Sequence, residues 1–209
     1  MKIPLAKEGC VFIIPLLVIT VLMFLFSFNW AAVLLGLGFL FVTWFFRDPE
    51  RRIPNEPNVI VSPADGKITE IVTEQEPING DPCKRVTIFL SVFNVHVNRV
   101  PIAGTIEEIR YNPGKFLAAF NPKASMENEQ NIIHINNGKI HVFVKQIAGL
   151  IARRIICWPK KGDYYESGQR YGLIRFGSRV DILLPETTKL SVACGDRVSG
   201  GKSIIGYLT

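Results

Sequence analysis

From Gly9 to Phe46 the chain carries no charged residue, and this run limits what the rest can be. As one straight helix it would reach about 57 Å at 1.5 Å per residue, far beyond a hydrocarbon core of about 30 Å. Two spans of roughly 17 to 19 residues fit a bilayer much better. The break belongs near Ser27-Phe28-Asn29-Trp30, the most polar stretch of the run, which ends in an interface-favouring tryptophan. A cleaved signal peptide is the competing reading, since Lys2 and Lys7 precede an apolar stretch. Against it, no small-x-small site ends the first span and apolar sequence resumes at once. Lys2 and Lys7 flank the entrance of such a hairpin, and Arg47, Arg51 and Arg52 flank its exit. A hairpin returns both ends to one side, and the positive-inside tendency makes that side cytoplasmic. The expectation is a membrane-anchoring helical hairpin over residues 1–47. A domain over residues 48–209 then lies on the cytoplasmic face of the cell membrane.

Composition narrows the partners. Of 209 residues 48% are hydrophobic, an excess concentrated in the anchor. Cys10, Cys83, Cys157 and Cys194 are widely spaced with no C-x-x-C pair, so neither a metal site nor a disulfide framework is expected. That suits a reducing compartment. A formal charge of +6 beside a bilayer favours anionic lipid headgroups. No nucleic acid is expected as a partner, because there is no RNP-like aromatic strand, basic helix or zinc-finger spacing.

The part after the anchor reads as mainly β. "KRVTIFLSVFNVHVNRV" and "KIHVFVKQIAGLIARRIICW" are rich in Val, Ile and Phe with two-residue alternation. "SPADG", "NPG", "NNG" and "KKGD" mark turns. Only "GKFLAAFNPKASMENEQ" offers a short helix. Gly162-Asp163 to Gly168 ("GDYYESG") has the spacing of Gly195-Asp196 to Gly201 ("GDRVSGG"), and each copy precedes an apolar strand. Two such units predict a compact β sandwich or barrel with quasi-twofold symmetry, of the kind seen in lipoyl-carrier (barrel-sandwich) hybrids.

Taken singly, the polar residues have plain structural readings. Asp65 in "VSPADGKI" reads as an Asx-turn aspartate. His96 in "FLSVFNVHVNRVP" alternates with Val95 and Val97 on a strand, and His134 and His141 flank the Asn-Asn-Gly turn of a hairpin. In "LIRFGSRVDILLP", Arg179 and Asp181 alternate with Val180 and Ile182, as on a strand with one wet face. The Gly177-Ser178 step before that strand reads as a bulge or tight bend. In combination the readings change. A hydroxyl directly after glycine, with a histidine and an aspartate elsewhere, is what intramolecular peptide cleavage requires. Glycine leaves its carbonyl unshielded and tolerates distorted backbone. The histidine can take the hydroxyl proton and the aspartate can orient the imidazole. Ser178 would then attack Gly177, and elimination followed by loss of ammonia would leave a pyruvoyl group.

"FFRDPER", "VSPADGKI", "FLSVFNVHVNRVP", "QIAGLIARRI" and "GDYYESGQRYGLIRFGSRVDILLP" together resemble the phosphatidylserine decarboxylase family in its short form, over nearly the whole chain after residue 44. The resemblance implies self-cleavage at Gly177-Ser178. Residues 1–177 become a β chain, and residues 178–209 become an α chain that carries a covalent pyruvoyl (pyruvate) cofactor made from Ser178. It implies decarboxylation of phosphatidylserine to phosphatidylethanolamine through a Schiff base, with a membrane phospholipid as substrate and no PLP or metal. The two chains would remain together as a heterodimer, with any higher oligomer left open. Asp65 matches the family's processing aspartate and His96 its first strand histidine. Where longer members carry a second histidine three residues on, this chain has Arg99, so His96 is expected to serve both maturation and turnover. Many members have Leu-Gly-Ser-Thr at the cut, and here it is Phe176-Gly177-Ser178-Arg179. Arg99, Arg153, Arg154 and Arg179 are candidates for headgroup contacts. Three alternatives stay open on the residues alone. One is archaetidylserine as the lipid, one is an intact serine hydrolase using Ser178, His96 and Asp65, and one is a membrane-tethered lipoyl-like module without catalysis.

Overall fold

In a computed structural model, residues 4–78, 80–115, 127–149, 154–175 and 178–208 are described. The chain divides into two compact units, Met1–Glu50 and Arg51–Thr209.

The first unit is the expected hairpin. Helix α1 (Cys10–Leu25) and helix α2 (Asn29–Phe45) are joined at Ser27, which takes a left-handed φ of 63°. Their facing sides carry small residues, so a Cβ added at Gly36 or Gly38 would rest 3.7 or 3.8 Å from Thr20 or Leu16. The outward side chains, among them Val11, Leu25, Trp30 and Leu40, are exposed. The two ends are tied by backbone bonds from Ala6 to Phe46 (2.8 Å) and from Asp48 to Pro4 (2.7 Å), so chain entry and exit share one end of the hairpin. The apolar helical stretch Lys7–Leu25 is long and apolar enough to cross a membrane, whereas Asn29–Phe45 is shorter.

The second unit is mainly β, as expected. Its strands are β1 (Val59–Val61), β2 (Gly66–Gln75), β3 (Pro82–Leu90), β4 (Val97–Arg99), β5 (Gly104–Asn112), β6 (Gln130–Asn136) and β7 (His141–Ala148). They continue with β8 (Ile155–Cys157), β9 (Tyr164–Tyr165), β10 (Arg170–Ile174), β11 (Ser178–Pro185), β12 (Lys189–Leu190), β13 (Arg197–Val198) and β14 (Ile204–Tyr207). A curled eight-stranded sheet runs β13-β2-β3-β11-β7-β6-β5-β9, accompanied by two three-stranded sheets, β1-β14-β12 and β4-β10-β8. The Asn-Asn-Gly hairpin forms between β6 and β7, with Gly138 at φ 81°. The Asn137 side chain there accepts from the Lys139 and Ile140 N–H groups at 3.0 Å each. Most of the short helix read in residues 114–130 falls outside the described residues.

The sequence repeat is a structural repeat. Gly162 and Gly195 donate to Ile106 and Ile68 at 2.8 Å each, and Ile106 and Ile68 donate back to Asp163 and Asp196 at 2.8 and 2.9 Å. The aspartates close equivalent turns by accepting from Lys160 and Ala193 at 2.8 Å each. The glycines opening and closing both copies have positive φ. The symmetry extends to a stretch not apparent as a repeat in sequence, because "SPADGKI" and "VPIAGTI" occupy matching places before β2 and β5. A Cβ at Gly66 would lie 2.3 Å from the Phe89 carbonyl oxygen, and one at Gly104 would lie 2.6 Å from that of Asn136. Both strands start where only glycine permits the neighbouring backbone so close.

Strand β11 lies between β3 and β7, and its register is unbroken from Ser178 opposite Leu90 to Pro185 opposite Cys83. No bulge interrupts it. One face sends Val180, Ile182 and Leu184 into the main core with Val86, Ile88, Leu90, Val142, Val144 and Ala148. The other face is not wet, in contrast to the alternation read in sequence. Asp181 has no exposure and Arg179 is 6% exposed, because a central strand has neighbours on both sides. Their charges are met internally. Arg179 grips Asp181 through two bonds of 2.7 and 3.0 Å and donates to Thr87 at 3.1 Å. Arg85 approaches Asp181 at 3.9 Å and binds Glu70 and Glu74 at 2.7 Å each. Burial works against the charge on Arg85, but these acidic partners push its pKa upward overall. Removing the central anion takes the two-bond partner from the buried Arg179, while Arg85 keeps Glu70 and Glu74. Asp181→Ala should therefore lower stability by about 3 to 5 kcal/mol in thermal or denaturant unfolding, whereas Glu70→Ala, half exposed at the rim, should cost under about 1 kcal/mol.

Candidate active site

Ser178 opens β11, so the sheet fixes its backbone from both sides, opposite Leu90 and Ala148. By strand alternation its side chain shares the core face with Val180 and Ile182. The residue is fully buried, and its Oγ has no hydrogen-bond partner among the described residues. A buried hydroxyl left unpaired costs about 1–3 kcal/mol and calls for an explanation, a catalytic role among them. Gly177, the other half of the expected cleavage step, lies outside the described residues, as do Phe176 and Arg153.

His96 is also fully buried. Its Nδ1 lies 2.9 Å from the Asn94 carbonyl oxygen. A carbonyl only accepts, so Nδ1 carries the hydrogen, and in the neutral ring the lone pair a general base needs is then on Nε2. Asn94 is itself held, its side-chain oxygen accepting from the Ser91 N–H and hydroxyl at 2.9 and 2.8 Å. The His96 carbonyl accepts from Ile174 N at 3.3 Å, on the strand that runs on toward Ser178. The imidazole is thus oriented by a backbone carbonyl two residues away.

Asp65, expected to orient that ring, has other partners. Its carboxylate takes both contacts of the Arg51 guanidinium, at 2.8 and 3.0 Å, and the Gly200 N–H at 2.7 Å. The turn carrying Asp65 does meet the strand of His96, since Arg99 N donates to Pro63 O at 2.9 Å. The fold therefore joins the two segments through backbone and leaves the carboxylate bridging Arg51 to the Gly200 turn. Sequence reasoning missed Arg51, whose only signal was its place beside the anchor.

Arg99 and Arg179, expected at the headgroup, are both buried and bonded to protein. Arg99 donates to the Gly168 carbonyl at 2.9 Å and packs against Gly201, where an added Cβ would come within 2.7 Å of its Cδ. Arg179 belongs to the Asp181 network. Arg154 is exposed at the start of β8, and its carbonyl accepts from Arg175 N at 3.3 Å, three residues before Ser178.

A polar cluster that sequence gave no hint of lies on the same side of the sheet as Ser178. Gln146 donates to Asn98 at 2.9 Å and accepts from Asn131 at 3.2 Å, while Asn98 Nδ2 and the Tyr171 hydroxyl are buried without partners among the described residues. Burial pushes the Cys157 thiol up to about 11. A cavity of about 950 Å³ lies elsewhere. It is walled by Cys83, Glu107, His134, His141, Phe143 and Leu183 among others, toward the opposite end of β11 from Ser178.

The chain matches a family model described as phosphatidylserine decarboxylase over residues 39–206. It is 46% identical over 206 residues to the phosphatidylserine decarboxylase proenzyme of Syntrophus aciditrophicus (strain SB), covering 97% of this chain and 96% of that one. Proenzymes of the same name from Chlorobium chlorochromatii (strain CaD3) and Desulfotalea psychrophila (strain LSv54 / DSM 12343) are 51% identical over 167 residues and 45% identical over 211. They cover 80% and 99% of this chain, and 79% and 98% of their own lengths. On this extent of similarity the chain belongs to the phosphatidylserine decarboxylase family, a family of carboxy-lyases made as proenzymes.

Proposed function

We propose that the chain cleaves itself between Gly177 and Ser178 and then decarboxylates phosphatidylserine to phosphatidylethanolamine at the membrane surface. The observation that carries this reading is the fully buried Ser178 hydroxyl, which has no partner among the described residues at the head of β11. Most buried hydroxyls find a partner, and a catalytic role is one explanation for one that does not.

In the first stage His96 Nε2 takes the Ser178 hydroxyl proton, and Oγ adds to the Gly177 carbonyl. The Gly177–Ser178 C–N bond then breaks, the freed nitrogen is protonated, and Gly177 is left esterified to Oγ. Loss of the Ser178 α-proton expels the Gly177 carboxylate, and water replaces the nitrogen as ammonia, leaving residue 178 as a pyruvoyl group. Asp65 acts by position in this reading. It holds the Gly200 turn, part of the new small chain, against Arg51 of the large one. The small chain stays in place because β11 remains bonded to β3 and β7, β13 to β2, and β14 to β1.

In turnover the pyruvoyl carbonyl supplies the electron sink for the charge left when CO₂ departs, which suits a reaction with neither PLP nor a metal. His96 returns the proton to the substrate α-carbon. Arg99 cannot, since a guanidinium stays protonated at ordinary pH. Arg154 is the arginine that meets the headgroup phosphate. The helical hairpin keeps the domain on the cytoplasmic face, where substrate and product both remain in the bilayer.

On a reducing denaturing gel the unaltered chain should give two fragments, which co-purify until denatured. Ser178→Ala should give one band and no CO₂ release. His96→Gln should mature poorly, while His134→Gln and His141→Gln should process normally. Two fragments from Ser178→Ala would remove it as nucleophile, and normal maturation and turnover of His96→Gln would move the base elsewhere. Arg154→Gln should process fully but show a raised KM, and an unchanged KM would take Arg154 out of the headgroup site. A reporter fused after Thr209 should register in the cytoplasm, and a signal from the far side would reverse the topology.

A further inference from the structure

The two histidines that read as bland strand residues come together with a carboxylate at the cavity wall. Glu107 is the extra residue of a bulge in β5, between Ile106 opposite Ile135 and Glu108 opposite His134, and a bulge re-aims a side chain. His134 lies in β6, and His141 opens β7 across the Asn-Asn-Gly turn. Nε2 of His134 is 2.8 Å from Nδ1 of His141. Oε2 of Glu107 is 3.5 Å from Nδ1 of His134 and 3.9 Å from Nδ1 of His141. One ligand atom from each residue can be chosen so that all lie within 4.8 Å of one another.

An ion takes only one ring nitrogen of His134, so the bound that matters is the 4.8 Å within which one atom from each residue falls. Rotation of the partly open Glu107 and His141 side chains brings that set to the edge of a tetrahedral site, about 3.4 Å for metal–ligand bonds of about 2.1 Å. The surroundings are built as metal sites usually are. Asn136 donates to Glu107 Oε1 at 2.6 Å, which leaves Oε2 as the oxygen near the imidazoles. The His134 ring stacks on Phe143 at 4.5 Å between centroids and 18° between planes. Phe143 is backed by Cys83, Ile132 and Leu183. Such outer contacts fix the ligand rings and the carboxylate before an ion arrives. His134 is buried, while Glu107 and His141 are partly open beside the cavity, which provides an entry path and room for water in a fourth position.

We propose that Glu107, His134 and His141 bind one divalent transition-metal ion of the zinc class, with the remaining position open to the cavity. Two imidazoles with one carboxylate favour such an ion over magnesium or calcium, which prefer oxygen ligands. The site takes no part in the reaction. His134 stands opposite Phe143, itself opposite Leu183, five residues along β11 from Ser178 and so roughly 17 Å away. Leu183 also points to the other face of the sheet from Ser178. The ion would pin β5, β6 and β7 together at the rim.

The test is zinc titration of the full-length chain in detergent, free of a polyhistidine tag and stripped with a chelator. Calorimetry should give one zinc per chain, no comparable binding of magnesium, and a raised unfolding midpoint with zinc. His134→Gln and Glu107→Gln should each weaken binding at least about tenfold and abolish the midpoint shift. Cobalt(II) should give tetrahedral visible bands in the unaltered chain only. Should His134→Gln fail to fold, Glu107→Gln at the bulge carries the comparison. No zinc binding by the unaltered chain, or binding undiminished by Glu107→Gln, overturns the proposal. Fragment formation is scored alongside and should be the same with and without zinc, so loss of this site and loss of the Ser178 chemistry are separate results.

Discussion

Strand β11 is hydrogen-bonded on both sides, to β3 and to β7, and the functional arrangement depends on that double pairing. It buries every residue of the strand except Pro185. Burial forces Asp181 to bring its own cations and sets Ser178 in the core with its backbone fixed. A strand at the sheet edge could have carried the same sequence with Arg179 and Asp181 in water. The pairing also makes a cut before Ser178 tolerable, because the strand is held by its neighbours rather than by its peptide link.

Around that strand the two copies of the repeat have diverged in chemistry while keeping their geometry. Gly66 and Gly104 start matching strands under the same steric demand. Asp65 precedes the first, and Ala103 stands at the matching place before the second. The aspartate copy holds Arg51 and the Gly200 turn, and the alanine copy has no side chain to do so. Matching bulges follow in β2 and β5. In β5 the bulge sets Glu107 beside His134 and His141, so the repeat also shapes the second cluster.

What the sequence made legible was local. The break in the apolar run, the Asn-Asn-Gly hairpin, the mainly β character and the Gly-Asp turns all follow from neighbouring residues, and the structure has them. The partners of charged groups did not follow, because they come from distant segments. Arg179 reads as a surface arginine until β3 and β7 are placed beside it. Asp65 reads as a partner for His96 until Arg51 arrives from beside the anchor. His134 and His141 look unremarkable because the bulge that delivers Glu107 depends on the pairing of β5 with β6. The orientation of His96 was within reach, since Asn94 is two residues away, but only the folded turn shows its carbonyl facing the ring.

On the proposed chemistry Ser178 is converted, not merely exposed, when the chain is cut. Mass spectrometry of the small fragment from purified, denatured protein tests this directly. Self-cleavage with pyruvoyl formation should give a fragment spanning residues 178–209 that is lighter by one ammonia than the simple hydrolysis product and has a carbonyl in place of an N-terminal amine, so that borohydride adds hydrogen to it. A fragment beginning with a free serine, or a single uncut chain, would contradict it.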